Sequence, residues 1–212
     1  MGSFYTNHTV RGPSQAKLLE WLHDRPAYVS KSERGLSVVV DAECEDQDGE
    51  VLASLATQIS GDMNCHVLAI LNHDDDVLYF ELYENGNKID EYNSSPGFFD
   101  ENADSDEPTG GNAALLCTIF GASDPDKVEA ALRGDYVFAF ERHRDLALAL
   151  GLPMYSVALA TTTSAKATCR QMHRTGSTST VRPNPSLKRS ANGRPPARLW
   201  YSVHCHRPGP GV

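Results

Sequence analysis

Two hydrophobic periods alternate along the chain, and each change of period marks an element. Leu18, Leu19 and Leu22 follow Ser14, whose hydroxyl can cap a short helix, and Pro26 ends that segment. Ala27–Ser30 and Leu36–Glu43 read as strands joined by a turn at Glu33-Arg34-Gly35. Over Asp48–Ser60 the period becomes helical. Leu52, Leu55, Ala56 and Ile59 share one face, acids fill the first turn, and Gly61 supplies a left-handed stop. Cys65–Leu71 is an unbroken apolar run short enough for a buried strand. Val77–Glu84 and Asn87–Asn93 then flank Asn85-Gly86, a pair favoured in two-residue type I′ hairpins because both positions need positive φ. The expected register sets Leu82 opposite Ile89, Tyr79 opposite Tyr92, and Glu81 opposite Asp90. Leu78, Phe80, Leu82 and Ile89 then pack on one sheet face, and Tyr79, Tyr83 and Tyr92 line the other.

Ser95-Pro96-Gly97 has turn chemistry, and Asp100–Gly111 reads as an acidic mobile loop. Three helices are expected next. Asn112 caps the first, which carries Leu115, Leu116, Ile119 and Phe120 and stops at Gly121. Asp124-Pro125 opens the second and Gly134 closes it; the third runs to Leu150, before Gly151 and Pro153. Met154–Thr161 reads as a last strand. This order predicts an α+β fold: a single domain with a mainly antiparallel sheet, built on the hairpin 77–93 and packed by helices. The expected division is a flexible N-terminus at 1–13, an acidic domain at 14–162 and a basic, disordered tail at 163–212.

Charge sharpens that division. Residues 1–162 hold all 28 Asp and Glu against 10 Lys and Arg, a balance of −18, whereas 163–212 hold 9 Lys and Arg and no acid. The last segment is rich in Ser, Thr, Arg and Pro without apolar periodicity, so it cannot bury enough surface to offset ordering entropy. Its basic character is the only feature that points toward nucleic acid, and the charges are too sparse to form a dense binding block; the acidic body repels phosphates. No apolar run approaches the roughly 20 residues of a membrane span. The first residues lack the pattern of a secretory signal, and the five cysteines are an odd, scattered set. Reduced thiols and a cytoplasmic location are therefore expected.

The stretch 182–196, RPNPSLKRSANGRPP, resembles the translated recombination-site repeat that ends bacterial integron gene cassettes. The segment NHDDDVLYFELYENGNKIDEYNSSPGFFD resembles a group of small bacterial proteins of that origin. The resemblance implies a mobile bacterial gene whose normal stop has been lost or displaced, and it implies nothing about catalysis.

Candidate chemistry concentrates in the acids. From Gly35 to Asp126 there are 21 acids and one base, Lys88, with six acids in Asp41–Glu50 and five in Asp100–Glu107. Such a field attracts cationic partners. The expected function is a binding or inhibitory module that captures a basic protein partner and needs no cofactor. Asp41, Glu43, Glu45, Asp46, Asp48, Asp74, Asp75 and Asp76 supply charge, and Tyr79, Tyr83 and Tyr92 supply apolar contact. The alternative is a divalent-metal enzyme centred on His73–Asp76, with His73, Asp74, Asp76, Glu81 and Asp90 as ligands and His143 or Glu81 assisting. A polar turn is the preferred reading of His73–Asp76, because Asp bonds its own backbone. Asp46-Gln47-Asp48-Gly49 fails the EF-hand spacing. His143 reads as part of a polar helix face, Cys117 as core, and Cys65-His66 as neighbours on opposite strand faces. Cys169, His173, His204, Cys205 and His206 match no zinc spacing.

Overall fold

The computed structural model describes residues 2–98 and 105–157. The tail 163–212, the segment 182–196 and the second half of the expected last strand lie outside the described residues; Met154–Ser156 itself is a 3-10 turn. Among the described residues there are seven strands: β1 (Tyr5–Arg11), β2 (Ala27–Val29), β3 (Leu36–Asp41), β4 (His66–His73), β5 (Val77–Glu84), β6 (Asn87–Asn93) and β7 (Thr109–Gly110). Five helices accompany them: α1 (Gln15–Trp21), α2 (Gly49–Met63), α3 (Ala113–Phe120), α4 (Pro125–Arg133) and α5 (Ala139–Leu150). The strands form one sheet in the order β2-β3-β1-β4-β5-β6-β7, antiparallel at every step. The α+β class and the antiparallel sheet expected from the pattern are therefore present.

The caps act where the residue types place them. The side chains of Ser14, Asp48, Asn112 and Asp124 accept backbone N–H groups at the starts of α1, α2, α3 and α4. Gly121 and Gly151 take left-handed φ values of 75° and 67° at the ends of α3 and α5. Gly61 does not stop α2, contrary to expectation. The helix runs on to Met63 and turns at Asn64, φ 48°. Gly61 instead permits a close crossing: a Cβ there would lie 3.5 Å from the Cα of Gly86 in the β5–β6 turn. Ser60 Oγ secures that crossing by accepting the Gly86 N–H at 3.1 Å and donating to the Cys65 carbonyl at 2.8 Å.

The sheet buries both faces, so there are two cores. On one face Leu68, Ile70, Leu78, Phe80, Leu82 and Tyr92 pack against Leu116, Val128, Leu132, Leu146 and Leu150 of α3, α4 and α5. On the other face Val10, Val39, Val67, Ala69 and Leu71 pack against Leu18 of α1 and Leu52, Leu55 and Ile59 of α2. Burial on both faces explains the unbroken apolar run in β4. Among the described residues no helix is long and apolar enough to cross a membrane.

Two expectations need correction. Residues 1–13 are not a flexible lead-in: β1 lies in mid-sheet between β3 and β4, with Tyr5 to Val10 all buried. Its polar sequence, YTNHTV, conceals this because the polar side chains bond inward. Thr6 Oγ1 donates to the Cys44 carbonyl (3.0 Å), Asn7 Nδ2 to the Ser156 carbonyl (2.7 Å), and His8 Nε2 to the Leu52 carbonyl (3.0 Å). The hairpin register also differs. Asn85 and Gly86 do take positive φ, 51° and 80°, but the ladder slips between Leu82 and Tyr83. Leu82 pairs with Asp90 and Tyr83 with Lys88, leaving Ile89 as an extra residue. Beyond that bulge Phe80 faces Tyr92, Tyr79 faces Asn93, and Glu81 faces Glu91, not Asp90. One extra residue moves every later side chain to the other face, so Tyr92 leaves Tyr79 and Tyr83 and enters the Phe80 core.

Candidate functional site

The antiparallel order sends three acidic segments out of the same end of the sheet. Asp41 at the end of β3, His73 at the end of β4 and Asn93 at the end of β6 all lie near the start of β1 or level with it. The segments that follow or precede these points are 42–48, 74–76 and 105–108. Two of them are tied together. Gln47 Nε2 donates to the Asn72 carbonyl at 2.8 Å, and His73 Nδ1–H donates to Gln47 Oε1 at 2.6 Å. Thr6 Oγ1, through its bond to the Cys44 carbonyl, holds the same loop onto β1.

The His73–Asp76 segment is a tight turn within the three-residue link between β4 and β5. Asp74 and Asp75 have φ of 50° and 61°, and the Asp76 N–H donates back to the His73 carbonyl at 2.9 Å. Asp tolerates that left-handed geometry better than most side chains. The Asp75 carboxylate accepts Ser3 N–H (2.9 Å) and Asn72 Nδ2–H (3.0 Å), while its carbonyl accepts the Ala139 N–H that begins α5 (2.6 Å). Asp74 Oδ1 accepts Gly2 N–H at 2.9 Å. Asp75 is therefore a structural clamp, whereas Asp76 is exposed.

Exposed aromatic surface gathers at this end. Phe4, Phe98, Phe138 and Val137 are 49, 45, 47 and 80% exposed, four of the seven large apolar side chains exposed among the described residues. Their grouping, more than their exposure one by one, distinguishes the surface. Phe4 and Phe98 meet the His73 ring edge-on with centroids 5.0 and 5.6 Å apart. Phe138 precedes Ala139, whose amide rests on Asp75. Glu45, Asp46, Asp48, Asp74 and Asp76 are exposed around them.

The other expected contact residues are placed differently. Asp41 is 1% exposed and forms a two-pronged pair with Arg25, both bonds at 2.9 Å, while Glu43 meets the same guanidinium at 3.1 Å. Tyr92 is fully buried, stacked on Phe80 with its hydroxyl donating to the Leu132 carbonyl at 2.7 Å. Burial pushes its phenol up to about 12. Tyr83 is buried and Tyr79 half-buried, and both donate to Glu81, at 2.7 and 2.8 Å. These tyrosines are internal supports and present no contact face.

The expected metal ligands do not converge. Glu81 is occupied by Tyr79, Tyr83 and Lys88 Nζ (3.0 Å). Asp90 Oδ2 accepts the Asn112 N–H at 2.7 Å, His73 is engaged with Gln47, and Asp74 with Gly2. No group of three His, Cys, Asp or Glu side chains among the described residues is arranged to hold a metal ion. Burial alone would raise the Glu81 carboxyl, but bonds from Tyr83, Tyr79 and Lys88 outweigh it and hold the group below the usual range. Glu81→Ala strands two hydroxyls, while the Lys88 ammonium keeps its pair with Glu91; the expected cost is about 2–3 kcal/mol, read from the urea midpoint. Lys88→Ala, which leaves both tyrosine bonds intact, should cost clearly less.

The remaining candidates are also structural. His143 is wholly buried, not part of a polar helix face, and shares a 2.8 Å hydrogen bond with the Tyr5 hydroxyl. The Cys65 thiol is pushed up to about 11 by burial, against a smaller opposing effect of Lys17, and His66 instead contacts Glu84 at 3.0 Å. Cys117 lies in the core as expected. Cys169, His173, His204, Cys205 and His206 lie outside the described residues. Sequence reasoning missed Phe4, Gln47, Phe98, Val137 and Phe138. The four apolar ones share one signal, large apolar residues set among Gly, Ser, Pro and Asp outside any periodic segment; Gln47 carried none. Against protein-family profiles, curated proteins and solved structures, the chain finds no match.

Proposed function

We propose that this protein is a binding or inhibitory module that captures a basic protein partner through the acidic, phenylalanine-bearing end of its sheet. The observation that carries the reading is the coincidence of three acidic segments with Phe4, Phe98, Val137 and Phe138 at one end. Charge steers the approach of a cationic surface, and the exposed rings supply area that charge alone lacks. The contact set is Glu45, Asp46, Asp48, Asp74 and Asp76 with those apolar residues; Asp41, Asp75 and the three tyrosines support it from inside. A cytoplasmic setting and an accessory role borne by a mobile cassette fit this reading and belong to the same proposal. Nucleic acid is disfavoured as the body's partner, because like charge repels phosphate.

The test is co-purification of the full chain from its host at two salt concentrations. A basic protein should be retained at roughly 0.05 M salt and released near 0.5 M, where charges more than a few ångströms apart are screened. The combined change Glu45→Gln, Asp46→Asn and Asp76→Asn should weaken retention about tenfold, and Phe98→Ser should weaken it without altering the salt dependence. Retention of no cationic protein at low salt, or of one indifferent to both variants, refutes the reading.

A further inference from the structure

Arg142 is the one Lys or Arg buried among the described residues, at 7% exposed, and it pairs with no carboxylate there. It stands on α5 and reaches back to the end of α4. Its Nη1 donates to the Leu132 carbonyl at 2.6 Å and to the Ala131 carbonyl at 3.3 Å, and its guanidinium carbon lies 4.8 Å from the centre of the Tyr136 ring. The carbonyl end of α4 and the ring face offset part of the buried charge. Nε and Nη2 bond no carbonyl or carboxylate among the described residues. Arg25 shows what that edge is suited to: its Nε and Nη2 hold the two oxygens of Asp41, at 2.9 Å each. A cation taken out of water without a counter-charge is costly, and an anion on the open edge of Arg142 would offset that cost.

Arg142 lines an open pocket of about 350 Å³ between the segment 105–108 and the loop joining α4 to α5. Arg133, also in the lining, ties these walls together. Its Nη1 donates to the Pro108 carbonyl at 3.4 Å, its Nη2 to the carbonyls of Gly110 and Gly111, and its Nε to Glu129 at 3.2 Å. Arg133 is therefore engaged, and Arg142 is the receptive cation of the pocket. Asp106, Glu107 and Asp135 line the same pocket, are exposed, and form no ion pair among the described residues. The base is positive and the rim negative. A simple anion meets repulsion at the rim, and a simple cation leaves Arg142 uncompensated.

We propose that this pocket binds a zwitterion, with its carboxylate on the Nε–Nη2 edge of Arg142 and its ammonium facing the acids of the rim. A free amino acid and the C-terminal residue of a basic chain share that chemistry; the second source rests on the capture reading above. One planar carboxylate matches the single open guanidinium edge, in the two-pronged geometry that Arg25 already shows. A basic side chain would bring a second cation to the rim, so lysine is the fitting probe. The volume falls within the range of about 300–1,000 Å³ common for small-molecule sites.

The test titrates the full chain with L-lysine at constant ionic strength, followed by the amide NMR shifts of Gly134, Asp135, Tyr136 and Val137. Saturable shifts are expected. Lysinamide, which lacks the carboxylate, and hexanoate, which lacks the ammonium groups, should each bind at least about tenfold more weakly, the worth of one charge-assisted contact. Asp106 and Asp135 are exposed, so the double change Asp106→Asn and Asp135→Asn retains the fold. It should weaken lysine and strengthen hexanoate. Arg142→Lys keeps a cation for the α4 carbonyls but has no side-on edge, and should weaken lysine about tenfold. The ligand series needs no variant, so it decides even if that substitution destabilises the chain. Tri-L-lysine separates the sources: tighter binding than its own C-terminal amide assigns the end of a basic chain, and equal binding of the two assigns a free amino acid. Linear shifts with lysine, lysinamide binding as well as lysine, or hexanoate indifferent to the double change overturns the proposal.

Discussion

Removal of residues 2–11 is expected to abolish folding. β1 makes four register pairs with β3 and seven with β4, so its loss splits the sheet in the middle. Each of those neighbours would then present an unpaired edge, which favours aggregation. Tyr5, His8 and Val10 also leave both cores at once, and the Asn7 and Thr6 bonds to Ser156 and Cys44 vanish with them. Losses of this size exceed the roughly 5–15 kcal/mol that holds a typical domain together. Circular dichroism and a thermal melt of the truncated chain would check this. A cooperative melt near that of the intact protein would show that β1 is dispensable, and with it the assigned strand order.

The second large effect is acid lability. His8 and His143 are wholly buried, and burial lowers their pKa values to about 4 and about 3. For His8 the Leu52 carbonyl and Asp41 oppose the shift without cancelling it. Neither ring has a second protein partner among the described residues for an added N–H: His8 Nδ1 and His143 Nε2 make no hydrogen bond. In the unfolded chain both histidines titrate near 6.5. Above that pH both states are neutral and the histidines add no pH dependence. Below it the unfolded chain takes up protons that the folded chain refuses, so stability falls until the folded values are reached. The slope is about 1.4 kcal/mol per pH unit for each group, and the total approaches several kcal/mol by about pH 4. Glu81, whose carboxyl is held low, adds to the loss in the same direction at lower pH. The urea midpoint should therefore drop steeply between about pH 6.5 and pH 4. His143→Gln should remove nearly half of that slope. Parallel stability curves for the variant and the parent would contradict the assignment.

The local signals were legible because they act over a few residues. Ser14, Asp48, Asn112 and Asp124 cap helices wherever the chain places them, since the side chain bonds an amide two or three positions away. Asn85-Gly86 turns because its two residues accept positive φ. The apolar run of β4 reads as buried because it is sheathed on both faces. β1 was illegible for the opposite reason. Its polar side chains look solvated until Leu52, Cys44 and Ser156 arrive from distant segments to receive their hydrogen bonds.

The candidate surface divides in the same way. The excess of acid, its crowding into three short segments and the α+β class all follow from residue order alone, because charge and periodicity are properties of neighbours. Which acids face water was settled by packing. Asp41 found Arg25, Asp75 found Ser3 and Asn72, and a one-residue slip at Ile89 carried Tyr92 into the core. The convergence of those segments with four exposed apolar side chains at one end depends on strand order. Strand order joins residues many positions apart. It is chosen by the joint burial of both sheet faces, a quantity that no window of sequence contains.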